Sequence, residues 1–156
     1  MEEKISDNPG VIAFPPALYA GTLLIGLLLN FVFPIDFLPR SVTLFLGTLL
    51  IICAGLIAIL AFRAMNRAFT AINPSHPTTA IVSDGIFSLS RNPIYLSLTL
   101  LYIGISLLFS ALWALLLLLP LLVIVQIGVV KREEIYLERK FGEEYLRYKA
   151  QVRRWV

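Results

Sequence analysis

A run of 37 residues, 94–130, carries no charged side chain and is closed at once by Lys131-Arg132-Glu133-Glu134. As one helix it would be about 55 Å long at 1.5 Å per residue, nearly twice the ~30 Å hydrocarbon core of a bilayer. A single straight crossing cannot hold it. The run is therefore expected to fold as a helical hairpin with its turn near Ser110. That hairpin returns Arg91 at its entry and the Glu133-Glu134 pair at its exit to the same membrane face, so two polar motifs far apart in sequence become neighbours in space.

Two shorter uncharged segments, 17–33 and 42–62, precede it. With the hairpin they give an all-α, polytopic membrane protein of four transmembrane helices, one domain over 1–156. Its parts are two scaffold helices, a cytoplasmic loop 63–93, the hairpin 94–130 and an amphipathic tail 131–156. A composition that is 58% hydrophobic excludes an ordinary soluble domain. The first segment is read as a retained helix. Glu2, Glu3, Lys4 and Asp7 before it are not a positive targeting region, and no small-x-small cleavage pattern follows.

The net charge of +3 conceals an asymmetry that sets orientation. With four crossings, Lys4, Arg63, Arg67, Arg91 and the eight Lys/Arg from Lys131 onward share one side, and Arg40 alone lies on the other. Both termini are then expected to be cytoplasmic, in the inner or plasma membrane if the source is bacterial. The tail also carries five Glu, so it is not a plain polybasic anchor, although its basic side favours membrane lipids. The basic residues are not interleaved into a groove-reading element, so no nucleic-acid partner is expected. Cys53 stands alone in an apolar segment and is read as a core residue without a disulfide.

Pro15-Pro16 are placed to start the first helix and Pro34 to stop it. Asn30 is costly in lipid and is expected to face another helix through a structural hydrogen bond. Ala54, Gly55 and Ala58 put small side chains on one side of the second helix, which permits close helix packing. Asn73-Pro74, His76-Pro77 and Asp84-Gly85 are turn signals, so the long connection is irregular, with at most a brief extended piece at 78–82. A loop of this length in so small a domain is more often functional than idle. In the tail, Leu137, Phe141, Tyr145 and Tyr148 recur at helical spacing, Glu143 and Arg147 form an i,i+4 pair, and Gly142 kinks or divides the helix.

The chemistry-bearing residues gather at the two ends of the hairpin. Glu133 and Glu134 sit about 100° apart on a helix, so one of them is expected to point into a site if the helix packs on the loop. A carboxylate there can hold an ammonium group or accept from ribose hydroxyls, and Arg91 can orient a carboxylate through its planar fork. Arginine, tyrosine and glutamate also serve as plain interfacial anchors, and composition alone favours that reading. The single His76, on a Pro-flanked loop, reads as a surface residue. One His, one Cys and adjacent glutamates make no metal-ligand set.

The ordered pattern goes further. Asp84-Gly85-Ile86-Phe87, Arg91-Asn92-Pro93-Ile94-Tyr95-Leu96, Glu133-Glu134, Phe141-Gly142-Glu143-Glu144-Tyr145 with Tyr148, and Arg153-Arg154-Trp155 resemble the isoprenylcysteine carboxyl methyltransferase and phospholipid methyltransferase family over roughly residues 73–156. The resemblance implies an integral membrane enzyme that binds S-adenosylmethionine in a cytoplasmic pocket and admits a lipophilic or lipid-linked acceptor from the bilayer. Carried onto this chain, Gly85, Asn92, Tyr95 and Glu133 are the expected cofactor contacts, and Arg91 and Glu134 the expected catalytic pair, with the two glutamates interchangeable. Asn92 stands where histidine is typical of the prenylcysteine enzymes, and Ser97 where glycine is common. A carboxylate acceptor is the first expectation and a phospholipid amine the second. A nicotinamide-dependent membrane reductase and a scaffold without chemistry remain as other classes.

Overall fold

The computed structural model of the chain describes residues 9–73 and 76–156. Glu2, Glu3, Lys4, Asp7 and Pro74 lie outside the described residues. The elements are α1 (Pro15–Val32), α2 (Arg40–Arg67), a 3-10 turn (Gly85–Ser88), α3 (Pro93–Leu108), α4 (Leu112–Val125), a π-helical turn (Gln126–Val130), α5 (Lys131–Phe141) and α6 (Glu143–Gln151). The described residues contain no strand, so the all-α expectation holds. Segment 78–82 is irregular rather than extended.

Prolines set the helix starts as their fixed φ dictates: Pro15-Pro16 open α1 and Pro93 opens α3. The second helix runs five residues past its expected end, to Arg67, so its last turns carry Arg63 and Arg67 beyond the apolar part. Three helices are long and apolar enough to cross a membrane: α1, α2 and the continuous Leu112–Phe141. The expected fourth crossing, α3, has 16 residues and a length of about 24 Å, short of the ~30 Å hydrocarbon core. The outward faces of α1 and α2 expose Phe31, Leu24, Leu28, Phe45 and Leu56, surfaces suited to lipid rather than water.

The hairpin forms, with its turn at Ser110 in a left-handed conformation (φ 49). Its legs, however, hardly touch each other: α3 packs chiefly on α2 and α4 chiefly on α1. Small residues explain the pairing. A side chain on Gly47 would stand 2.8 Å from the Gly104 carbonyl oxygen, and one on Gly104 would stand 2.8 Å from Ile51 Cγ1, so the α2–α3 approach requires glycine at both places. Gly26 lies equally close to Ala114 across α1–α4. Within the expected stripe of Ala54, Gly55 and Ala58, Ala54 is buried on the face of Gly47, whereas nothing lies within 4 Å of where a Gly55 side chain would begin.

Between α1, α3 and α4 the core is aromatic and hydroxyl-rich. Tyr19 meets Tyr102 edge-on with centroids 6.3 Å apart. The Tyr102 hydroxyl donates to the Ala114 carbonyl at 2.9 Å, and Ser106 donates back to the Tyr102 carbonyl at 2.7 Å. Polar groups at this depth are thereby satisfied internally, as hydrocarbon demands. Asn30 departs from its expectation: its Oδ1 is buried without a hydrogen-bond partner. Cys53 is half-buried rather than in the core.

The tail is divided at Gly142 (φ 54), as expected. The Glu143–Arg147 pair does not form; Lys149 instead pairs with Glu138 across the bend. The remaining residues, 152–156, run back under the start of α3. There the Arg91 amide donates to the Arg153 carbonyl at 3.0 Å and the Trp155 indole donates to Gln126 Oε1 at 3.2 Å.

Candidate functional site

A cavity of 590 Å³ opens where the starts of α1 and α3, the end of α2, the loop and the tail converge. Its apolar wall comes from two facing helices, with Ile51, Ala54, Gly55 and Ala58 on α2 and Ile94, Leu98 and Leu101 on α3. At Gly55 the small-residue stripe thus leaves room for the cavity. The polar wall holds Arg91, Asn92, Tyr95, Glu133, Glu134 and Tyr145. The hairpin therefore does what its sequence predicts, because residues 91–95 and 133–134 share one chamber.

The charges in that chamber are ordered. Glu134 is 6% exposed and sits between two guanidinium groups. Arg154 donates to it through two nitrogens, at 2.8 and 2.7 Å, and Arg91 Nη2 lies 3.2 Å away. The bidentate fork raises the Arg154 pKa above its ordinary value, chiefly through these bonds to Glu134. Glu133, one residue earlier, points elsewhere and accepts a 2.5 Å hydrogen bond from the Tyr95 hydroxyl. Arg91 Nη1 reaches the Tyr145 hydroxyl at 3.5 Å, while its Nε is buried and has no partner. Burial pushes the Tyr145 phenol up to about 12, with the Glu134 charge adding to the shift and Arg91 opposing it. Burial likewise raises Tyr148, whose hydroxyl donates to the Phe87 carbonyl at 2.7 Å and ties α6 to the 3-10 turn. Both phenols stay neutral at physiological pH.

A model of the phospholipid methyltransferase family matches residues 42–144. The chain belongs to this family. A protein of Haemophilus influenzae described as uncharacterized is 67% identical over 27 residues, which are 17% of this chain and 43% of that protein, so the chain spans less than half of that relative's length. No solved structure matches. That family is one of the group that includes the isoprenylcysteine carboxyl methyltransferases, and the three long apolar helices suit an integral membrane protein.

Around the cavity the expected site residues separate into two sets. Arg91, Asn92, Tyr95, Glu133 and Glu134 all line the cavity. Gly85 does not: it is exposed, begins the 3-10 turn with φ 57, and its glycine identity is accounted for by that backbone conformation. Asn92 is partly committed to structure, since its side-chain amide donates to the Arg154 carbonyl at 3.0 Å. His76 is exposed and lies off the cavity wall, in line with the surface reading.

Tyr145, Tyr148 and Arg154 carry weight that no expectation assigned them. All three lie beyond the family-matched stretch, which ends at 144. The signal for the tyrosines was present, because they belong to the apolar stripe of the tail. Arg154 was marked only as part of the closing Arg153-Arg154-Trp155 piece of the resemblance, with no role attached to it.

Proposed function

We propose that this protein transfers a methyl group from S-adenosylmethionine to a lipophilic acceptor, a carboxylate of the isoprenylcysteine kind, that enters from the bilayer. The observation that carries the proposal is the unpartnered Nε of Arg91, buried in the wall of a chamber that also presents a carboxylate, Glu133, whose one partner among the described residues is Tyr95. A buried donor left without an acceptor is uncommon, since it forfeits the hydrogen bonds it had in water. The Arg91 guanidinium lines the chamber, and a small turn of it toward an oxyanion there would give that nitrogen a partner. The residues present thus fit a zwitterionic cofactor beside an anionic acceptor.

In this reading Glu133, held by Tyr95, takes the cofactor's ammonium or ribose hydroxyls, and the free side of Asn92 borders it. Arg91 holds one oxygen of the acceptor carboxylate and leaves the other to attack. Glu134 positions Arg91 rather than touching the reactants, because Arg91 and Arg154 already engage both its oxygens. When bound, S-adenosylmethionine would supply a methyl group on a sulfonium, the acceptor carboxylate forming the O–C bond in line as the C–S bond breaks and the neutral thioether leaves. A carboxylate attacks without a general base, so the chain's work is alignment and exclusion of water, which the apolar α2 and α3 walls provide. The α2–α3 cleft is the proposed lipid-side entrance. The charged end, with both termini, is proposed to be cytoplasmic, and α3 to complete a fourth crossing.

Calorimetric titration of detergent-purified protein with S-adenosylhomocysteine tests this. Saturable binding is expected, with affinity falling at least tenfold in Glu133→Gln and little in Arg91→Gln; Arg91→Gln should instead raise KM for the acceptor. Absence of binding in folded parent protein refutes the cofactor assignment. A second reading, a phospholipid amine as acceptor, draws on the same Glu133, which can take the amine proton. Base-labile product identifies the ester, and base-stable product the methylamine.

A further inference from the structure

On the face of α3 opposite the cavity lies a separate groove of 570 Å³. Its walls are Leu96 of α3, Leu122 and Val123 of α4, and Ile127 of the π-turn. Leu96 projects about 160–220° around the helix from Ile94, Leu98 and Leu101, so the two hollows do not share a wall on α3. Val123 and Ile127 are each 57% exposed, which opens the groove toward lipid. Lys131 and Trp155 also line it. Lys131 is the first charged residue after the long uncharged run, so it marks the polar end of the groove. Its ammonium is exposed and makes no hydrogen bond or ion pair among the described residues. Trp155 is half-buried and fixed by its indole bond to Gln126, the placement of an interfacial tryptophan.

An apolar channel that opens sideways and ends on one unpaired cation beside an interfacial indole has the chemistry of a single membrane lipid. We propose that the groove seats one anionic phospholipid, with its phosphate on Lys131 and an acyl chain along Leu96, Leu122, Val123 and Ile127, as a bound lipid distinct from the methyl acceptor. The charge complementarity selects a net-negative headgroup over a zwitterionic one, whose own ammonium competes with Lys131 for the phosphate. The seated lipid packs on Trp155, the neighbour of the Arg154 that clamps Glu134, so it supports the docked tail. The inference is independent of the methyl donor.

Native mass spectrometry of the purified full chain, given phosphatidylglycerol and phosphatidylcholine in equal amounts, tests the site. One phosphatidylglycerol is expected to be retained in preference to phosphatidylcholine. Lys131→Gln should lower that retention about fivefold, the effect of one juxtamembrane charge, and Val123→Trp, which fills the groove, should abolish it. Thermal melting confirms that each variant is folded; if Val123→Trp is not, Lys131→Gln decides. No retained lipid, equal retention of the two lipids by the parent, or undiminished retention in folded Lys131→Gln overturns the proposal.

Discussion

Replacing Glu134 by alanine should destabilise this protein strongly, because it strands a buried cation. The Arg91 and Glu134 side chains are each 8% exposed and lie 3.2 Å apart. Without Glu134, Arg91 keeps only the Tyr145 hydroxyl at 3.5 Å, and its Nε is already unpartnered. Removing one member of a buried ion pair costs about 3–5 kcal/mol, mostly as desolvation of the charge left behind. The Arg154 half of the cluster adds little, since that side chain is 35% exposed and water replaces much of what it loses. The lower figure, about 3 kcal/mol, is therefore the expectation. For a chain of this length 1 kcal/mol corresponds to about 2–4 °C in Tm, so the loss should be about 6–12 °C. Glu133→Gln is the internal control. A glutamine oxygen still accepts from Tyr95, so its melting should fall by no more than about 1 kcal/mol, or about 2–4 °C, while cofactor binding collapses. Melting curves in detergent alongside calorimetry read both quantities. A Glu134→Ala protein that melts with the parent, or a Glu133→Gln protein that melts far below it yet binds normally, would refute this division of labour between two adjacent glutamates.

Glycine substitutions on α2 should separate packing from cavity. Gly47→Ala places a methyl 2.8 Å from the Gly104 carbonyl oxygen and should lower stability by about 1–3 kcal/mol, whereas Gly55→Ala meets nothing and should melt like the parent; parallel melting curves decide. The raised Tyr145 pKa has a signed consequence at alkaline pH. The folded phenol keeps its proton to about 12, whereas an unfolded one releases it near 10.0, so between those values the folded state binds more protons and stability falls as pH rises. Tyr145→Phe should flatten the melting temperature over that window, and an unchanged slope would refute the assignment.

The hairpin was legible because its evidence is a length: an uncharged run too long for one crossing and bounded by charges can only return on itself. The convergence of Arg91, Tyr95, Glu133 and Glu134 followed from that turn alone. The pairing of the helices was not legible. Ala54-Gly55-Ala58 and the Gly47 and Gly104 positions look alike as sequence, and which set becomes a seam depends on rotation about the helix axis, which apolar faces exposed to lipid do not specify. Gly85 was misplaced for a related reason: a glycine at a turn signals a backbone conformation as readily as close approach to a ligand. The role of Arg154 was hidden because it depends on the chain running back after α6, and no local pattern encodes that return.

The tail consequently forms part of the chamber wall. Two guanidinium groups, Arg91 and Arg154, face two carboxylates, Glu133 and Glu134, and this set is neutral as a whole. Neutrality matters at the edge of a bilayer, where an isolated charge taken from water costs several kcal/mol. It also bears on the proposed ligands: a headgroup with both ammonium and carboxylate would enter without unbalancing the cluster, and the added positive charge of a sulfonium would be offset by an anionic acceptor. Arg154 is what makes that balance possible, because without it Glu134 would pull on Arg91 alone and the chamber would carry one net negative charge. The last residues of the chain therefore set the charge balance around Arg91 and Glu134, and that balance exists only with the tail docked.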